Sequence, residues 1–215
     1  MRIGVVTAAD HPPPTLSAQG TRLNRRGLET RARVLDVALA CLAEGPDAAS
    51  ANLVARRAEV TWGTLQHQFG DTDGLWAAVL EHVAPAGPLL GAARPGATVE
   101  RRVHQVVERL WAGLDLPWMR AILHLRLALP PDRADLERAW PRTAAALRAW
   151  DARWDDEVRA AFAAYDVDPA RLRRVRALLP GAVRGLHAER RLSTYADADE
   201  ARRGLAEALA AYLSA

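Results

Sequence analysis

Five polar or aromatic side chains near residue 65 have the types and spacing needed to contact nucleic acid. Leu65 and Phe69, four residues apart, mark the apolar side of a helix predicted to begin after Thr61, a favoured helix N-cap. The outward side of that helix carries Trp62, Thr64, Gln66, His67 and Gln68. These side chains include hydrogen-bonding groups long enough to reach base edges and phosphates in a DNA major groove.

A second short helix precedes this one and positions it. Ser50 to Arg57 predicts a helix with Val54 and Ala55 facing inward, Ala58 at the turn and Val60 closing the corner. Two short helices joined by a tight turn are the layout of a helix-turn-helix DNA reader. The sequence therefore predicts a DNA-binding unit.

Flanking helices complete the predicted DNA-binding domain, a three-helix unit followed by a further helix within residues 25–84. Gly27 to Glu44 carries apolar residues at helical spacing and ends at Gly45-Pro46. Asp71 to Val83 predicts an amphipathic helix directly after the reading helix. Residues 1–24, with Pro12-Pro13-Pro14 and little apolar surface, predict a flexible arm.

A Pro/Gly-rich segment after residue 84, including Pro85 and Pro95, predicts a domain boundary, and residues 98–215 predict a second helical domain. The first two expected helices of this domain span residues 98–114 and 117–129. A long helix then ends at Tyr165, with Pro141 at its start or at a kink. The last two run from Asp168 to about Arg190, disturbed at Pro180-Gly181, and over residues 197–213. No strand pattern is present, so the expected fold class is all-α.

Charge alone does not indicate a nucleic-acid partner. The net charge is +3, and residues 21–84 hold seven Arg against eight acids. Five of those Arg lie in residues 22–33, where they form either a phosphate-binding segment or a solvated basic one. Two interpretations of Arg56-Arg57 are equally supported, an ordinary pair of surface residues and a pair that holds a phosphate.

Several functional classes lack their signatures. Cys41 is the only cysteine and is expected in the core, so no disulfide framework or Cys-based metal site is predicted. No stretch reaches the roughly 18 apolar residues of a membrane span, and no signal peptide is recognisable, which predicts a cytoplasmic protein. Glycine-rich phosphate loops and G-x-S-x-G elbows are absent. We therefore expect no enzyme, metal or cofactor, with a helical ligand-binding enzyme or an interaction module as the other class.

The stretch from Val34 to Leu80 resembles the DNA-binding domain of the TetR/AcrR family of transcriptional regulators. The resemblance rests on VLDVALACLAEG (34–45), LVARRAEV (53–60), TWGTLQHQF (61–69) and GLWAAVLEH (74–82). It implies a repressor that binds double-stranded operator DNA, with Gly63 inside the reading helix, and a homodimer formed through residues 169–190 and 197–213.

Within that resemblance, Trp62, Thr64 and His67 are expected at bases or the groove wall. The expected phosphate contacts are Arg25, Arg26, Ser50, Thr61 and Gln66. Two alternatives remain: Trp62 packs on a neighbouring helix instead of contacting DNA, and His67 is simply exposed to solvent.

Three departures from the family pattern bear on DNA binding. Glu59 stands where the turn commonly has Gly, which predicts a left-handed backbone held by Glu at some steric cost. Gln66 replaces a usual Tyr, and Asp73 replaces a frequent Lys. An alternative is therefore a helical ligand-binding or interaction protein that has lost DNA binding.

Five of the seven Trp lie after residue 98, either as core or around an effector cavity. In the second interpretation, a cavity lies between the long helix and the shorter ones and binds a small, mostly apolar effector. His124, Arg120 or Arg126 would contact a polar group of that effector. The predicted lining of the cavity is Trp111, Trp118, Met119, His124, Trp150 and Trp154.

Overall fold

Helices account for all the regular secondary structure in the described chain apart from one isolated bridge between Leu16 and Arg22. A computed structural model describes residues 15–84, 87–93, 96–193 and 197–215. The predicted all-α class is confirmed over these ranges. Residues 1–14 of the predicted arm, together with Pro85 and Pro95 of the predicted boundary, lie outside them.

Ten α-helices and one 3₁₀ turn (Pro46–Ala48) follow one another in these ranges. They are α1 (Arg25–Glu44), α2 (Ala51–Arg57), α3 (Trp62–Phe69), α4 (Thr72–Val83), α5 (Val99–Gly113), α6 (Pro117–Ala128), α7 (Arg133–Ala139), α8 (Pro141–Phe162), α9 (Pro169–Leu192) and α10 (Ala198–Ser214).

Side-chain caps begin most of the helices. Thr61 accepts a hydrogen bond from Thr64 N at 3.1 Å at the start of α3, and Thr98 accepts one from Arg101 N at 3.3 Å at the start of α5. Asp71 does the same for Gly74 N at 2.9 Å in α4. Each such cap contributes about 1 kcal/mol. The predicted caps at Thr61 and Thr98 are confirmed.

Two clusters of buried hydrophobic residues form the interior. The first joins α1–α4 to α6 and the early part of α8, and Cys41 is buried in it as expected. The second joins α5, the later part of α8, α9 and α10. Because α6 packs on α1, the first cluster extends past the Pro/Gly-rich segment into residues 98–215.

The stretch of residues 15–24 differs from the expected flexible arm. Ser17 and Leu23 are buried, and Leu23 N donates to Thr15 O at 3.0 Å. Ala18 N donates to His67 O at 3.1 Å, which attaches this turn to the end of α3. Hydrogen bonds to the folded domain compensate for the low apolar content that suggested flexibility.

The prolines act differently from one another. Pro141 is the first residue of α8, which confirms the predicted helix start, one of the two roles expected for this proline. The helix ends at Phe162 rather than at Tyr165, and Trp140 separates it from α7. Pro180 lies inside α9, which continues unbroken to Leu192. Pro180 lacks the N–H that would bond to Arg176 O, and Trp154 Nε1 donates to that carbonyl at 3.3 Å. A side chain from α8 thus replaces the missing helix hydrogen bond.

Candidate nucleic-acid interface and ligand cavity

The turn between α2 and α3 fixes the angle of α3. Val60 N donates to Ala55 O at 3.0 Å, and Glu59 has a φ of 54°. The predicted left-handed backbone at Glu59 is confirmed. Leu65 and Phe69 are buried beneath α3, so its opposite side faces outward.

The outward side of α3 presents most of the residues predicted to contact DNA. Thr61, Gly63 and Gln66 are exposed, and Thr64 and His67 are half-buried. Trp62 is 41% exposed, so it is not packed into a neighbouring helix of this chain. An exposed indole in the first turn is available to a partner.

The first turn of α3 also offers backbone donors. The hydroxyls of Thr61 and Thr64 lie 3.0 Å apart, and Thr61 Oγ1 accepts from Thr64 N. The N–H groups of Trp62 and Gly63 have no partner within the helix, because the first four N–H groups of a helix lack one. Such a helix start favours an anion such as a phosphate.

The prediction that Gln68 lies on the outward side of α3 is wrong. Its side chain is 5% exposed, and Nε2 donates to Gly27 O at 3.2 Å. Arg31 donates to Gln68 O at 2.9 Å and lies 4.5 Å from the centre of the Phe69 ring. The signal was available in the spacing, because residue 68 follows Leu65 by three and shares its side of the helix.

The residues predicted to contact phosphates differ in whether their side chains already have partners within the chain. Arg26 is exposed, whereas Arg25 pairs with Glu29 at 2.9 Å on an exposed part of the surface. Ser50 caps α2 through Leu53 N at 3.3 Å. An exposed ion pair contributes little, so Arg25 is readily released to another anion.

The Arg56-Arg57 pair divides into a free and an engaged residue. Arg57 donates to Glu44 at 2.5 Å and to Cys41 Sγ at 3.5 Å, and the hydrogen bond to Glu44 raises the pKa of Arg57. Arg56 is exposed. Of the two, Arg56 is the one available to a phosphate.

Asp73 is engaged within the chain and does not face outward. It is buried, and its carboxylate accepts hydrogen bonds from the backbone N of Arg142 at 3.0 Å and of Thr143 at 2.8 Å. Burial alone would raise the pKa of Asp73, but these hydrogen bonds hold it below its ordinary value. Asp73 stands where the family pattern often has a phosphate-binding Lys, but in this chain it lies on α4 and caps the start of α8.

Gly74 makes this junction possible. A Cβ atom at Gly74 would lie 2.0 Å from Phe69 O and 2.6 Å from an Arg142 guanidinium nitrogen. Arg142 donates to Phe69 O at 3.2 Å and also pairs with Asp71. The start of α8 is therefore bound directly to the end of α3 and the loop that follows it.

A cavity of about 620 Å³ lies between α6, α8 and α9, and its volume is typical of small-molecule sites. Four of the six predicted effector residues line it: Trp118, Met119, Trp150 and Trp154. Trp118 and Trp150 have ring centres 6.0 Å apart. The expected polar contact Arg126 also lines it.

Trp111 and His124 lie outside this cavity. Trp111 is buried in the second cluster, edge-on to His187 with ring centres 5.2 Å apart. His124 Nδ1 lies 2.7 Å from Leu42 O, which places it in the contact between α6 and α1. Both residues share a helix with cavity-lining residues but face other neighbours, which helical spacing alone does not distinguish.

A comparison of the chain with protein-family models and with curated proteins found no match. In the ranges that the structure covers, no helix is both long and apolar enough to cross a bilayer. The same ranges contain no group of three His, Cys, Asp or Glu side chains placed to hold a metal.

Proposed function

We propose that this chain is a sequence-specific DNA-binding transcriptional regulator, a repressor that a small, mostly apolar effector releases from its operator. The observation that carries the proposal is the outward side of α3. There an exposed Trp62 and the polar residues Thr64 and His67 stand on a helix whose other side is buried. A helix presented in this way fits a major groove.

The proposed contacts fall into two groups. Trp62, Thr64 and His67 read bases or the groove wall, and Gly63 lets the helix backbone approach closely. Phosphates are bound by Arg25, Arg26, Ser50, Thr61 and Gln66. Base contacts set sequence preference, whereas phosphate contacts set register and overall affinity.

Selection from a random duplex library followed by titration of the selected site tests this assignment. We expect His67→Ala to cost about 1–3 kcal/mol and to relax one position of the site. Arg25→Ala should weaken all sequences alike and reduce the salt slope by about one unit, whereas Arg101→Ala on the exposed side of α5 should change neither. Failure to enrich any sequence would contradict DNA recognition and favour a ligand-binding protein.

We also propose that two copies pair through α9 and α10 to read a pseudo-palindromic site. Leu178 and Leu192 on α9 are 55% and 77% exposed, and Gly181 and Gly185 lie between them on the same exposed side. On α10, Tyr212 is exposed beside small residues. Exposed apolar side chains along one stripe support a helix-to-helix contact with a second copy.

Sedimentation velocity at micromolar concentration tests the pairing. We expect a dimer that Leu178→Arg converts to a monomer, since the new charge would be buried without a partner. Leu28→Arg, at an exposed position of α1, is the matched control and should leave the dimer intact. A monomeric parent protein would contradict the proposal.

Effector control is supported by the position of Trp150. This cavity residue donates from Nε1 to Leu80 O of α4 at 3.0 Å, so the cavity wall is one hydrogen bond from the helix that follows the reading helix. A ligand that favours one placement of α4 shifts DNA affinity by its differential affinity for the two states, and about 1–3 kcal/mol suffices for partial release.

A further inference from the structure

The polar groups of the cavity contain more guanidinium than carboxylate. Apolar side chains form most of its wall, together with seven charged residues, which are Arg126, Asp151, Arg153, Asp155, Glu157, Arg176 and Arg184. Four of these are cations and three are anions. The cavity thus has an apolar wall and one more positive than negative side chain.

Two of the carboxylates are occupied by specific partners. Asp155 pairs with Arg176 at 2.8 Å, and Glu157 accepts a hydrogen bond from Leu90 N at 3.2 Å. Neither forms an ion pair with Arg184 within 4.0 Å. The third, Asp151, pairs with Arg126 at 2.6 Å.

Two of the four cations, Arg153 and Arg184, have no carboxylate within 4.0 Å in the described part of the chain. The guanidinium of Arg153 lies 5.6 Å from the centre of the Trp150 ring, so Arg184 is the cation with neither an ionic nor an aromatic partner among the described residues. It lies at the exposed edge of the cavity, close enough to Arg126 and Asp151 for their charges to act on it. Partial burial first, and then repulsion from Arg126, lower the pKa of Arg184, whereas Asp151 raises it. A bound anion would relieve both the desolvation and the repulsion.

The N–H groups of two of the three cavity tryptophans already have partners within the chain. Trp150 Nε1 donates to Leu80 O at 3.0 Å, and Trp154 Nε1 donates to Arg176 O at 3.3 Å. Both indoles therefore offer ring surface to a ligand while their donors are engaged by backbone carbonyls. The charged hydrogen-bond donors in the cavity lining are all guanidinium groups.

We propose that the cavity binds a flat, apolar ligand that carries an anionic group, with the rings of Trp118, Trp150 and Trp154 against its apolar body and Arg184, assisted by Arg126, at its anion. A planar guanidinium fork matches a carboxylate. This inference rests on the proposed effector role of the cavity and names the chemical class of the effector.

Matched probes test the charge requirement. Binding of 2-naphthoate, 2-naphthalenemethanol and 2-naphthylmethylammonium is followed by quenching of tryptophan fluorescence and by calorimetry. We expect the carboxylate to bind the parent protein at least about 10-fold more tightly than the alcohol and the ammonium to bind most weakly, in line with hydrogen bonds to charged groups. Equal affinity for all three, or no binding of the carboxylate, would overturn the proposal.

Variants locate the anion. Arg184→Gln should weaken naphthoate binding at least about 10-fold and leave the alcohol unchanged, whereas Arg173→Gln, on the same helix but outside the cavity, should change neither. An Arg184→Gln protein that still prefers the carboxylate by the same factor would contradict the assignment. Circular dichroism confirms that the variants are folded.

A selected DNA duplex separates this inference from the proposed function. Naphthoate that binds through Arg184 without changing DNA affinity would contradict effector control and retain the ligand class. DNA release by the alcohol and the carboxylate at equal concentrations would contradict the ligand class and retain effector control.

Discussion

The two hydrophobic clusters differ in the side chains that they bury most completely. In the first cluster, to which α3 belongs, the largest is Trp76, in a cluster with aliphatic residues such as Leu42 and Leu80. Beside the second cluster it is Arg102, a guanidinium with no solvent exposure. Both regions contain buried polar groups that are hydrogen-bonded, but the largest fully buried side chain is an apolar indole in the first and a cation beside the second.

The hydrogen bonds of Arg102 explain how its burial is tolerated. It donates to Ala161 O at 2.9 Å, to Gly91 O at 2.7 Å and to Ala92 O at 3.4 Å. These carbonyls belong to the end of α8 and to the segment before α5, so one side chain joins the two. Residues of α8 belong to both clusters, so this helix connects the region around Trp76 with the region beside the buried cation.

The largest expected effect comes from truncating the centre of the first cluster. Trp76→Ala should lower the free energy of unfolding by about 3–5 kcal/mol, because a fully packed site cannot close around the void. Trp118→Ala, a half-buried residue at the cavity, should cost less than about 2 kcal/mol, since fewer neighbours surround it. Urea unfolding followed by circular dichroism measures both, and equal losses would remove the contrast between packed and open sites.

The second cluster is tested through its buried cation. Arg102→Met should cost about 3 kcal/mol, because it leaves buried carbonyls without donors despite a similar side-chain length. Arg101→Met, exposed on the same helix, is the matched control and should stay within about 0.5 kcal/mol. If Arg102→Met is as stable as the parent protein, apolar packing dominates in both clusters.

The junction between the regions is tested by pH. The lowered pKa of Asp73 means that its carboxylate form stabilises the folded state above about pH 4, and this contribution is lost as pH falls below that value. The parent protein should therefore lose more stability than Asp73→Asn between pH 6 and 3, with a difference of about 1 kcal/mol from the cap. Asp166→Asn, at an exposed position, should follow the parent curve.

The smallest expected effect is the coupling between Pro180 and Trp154. Trp154→Phe should cost about 1 kcal/mol in the parent, because Arg176 O loses its donor. In a Pro180→Ala background, the backbone N–H of the new alanine supplies the missing helix bond, and the same change should cost less than half as much. A double-mutant cycle measures this coupling, and additive effects would show that the indole N–H is not needed there.

The sequence by itself determined the elements whose signals are local. Helix caps at Thr61 and Thr98 and the start of α8 at Pro141 depend on a few neighbouring residues, so residue type and spacing were sufficient. The left-handed turn at Glu59 was expected only from the resemblance to a family pattern that commonly has Gly there. The all-α class followed from the periodicity of the same segments. Four of the six expected cavity residues were found because long apolar side chains on one stripe tend to share a surface.

Only the tertiary structure decided contacts between residues distant in sequence. Asp73 caps a helix that begins about seventy residues later, Gln68 reaches Gly27, and His124 bonds Leu42 O across two helices. The choice of partner for a polar group depends on which helices pack together, and helical periodicity does not specify that packing. The continuity of α9 through Pro180 likewise required an indole from another helix, because the proline removes a donor that nothing nearby in the sequence replaces.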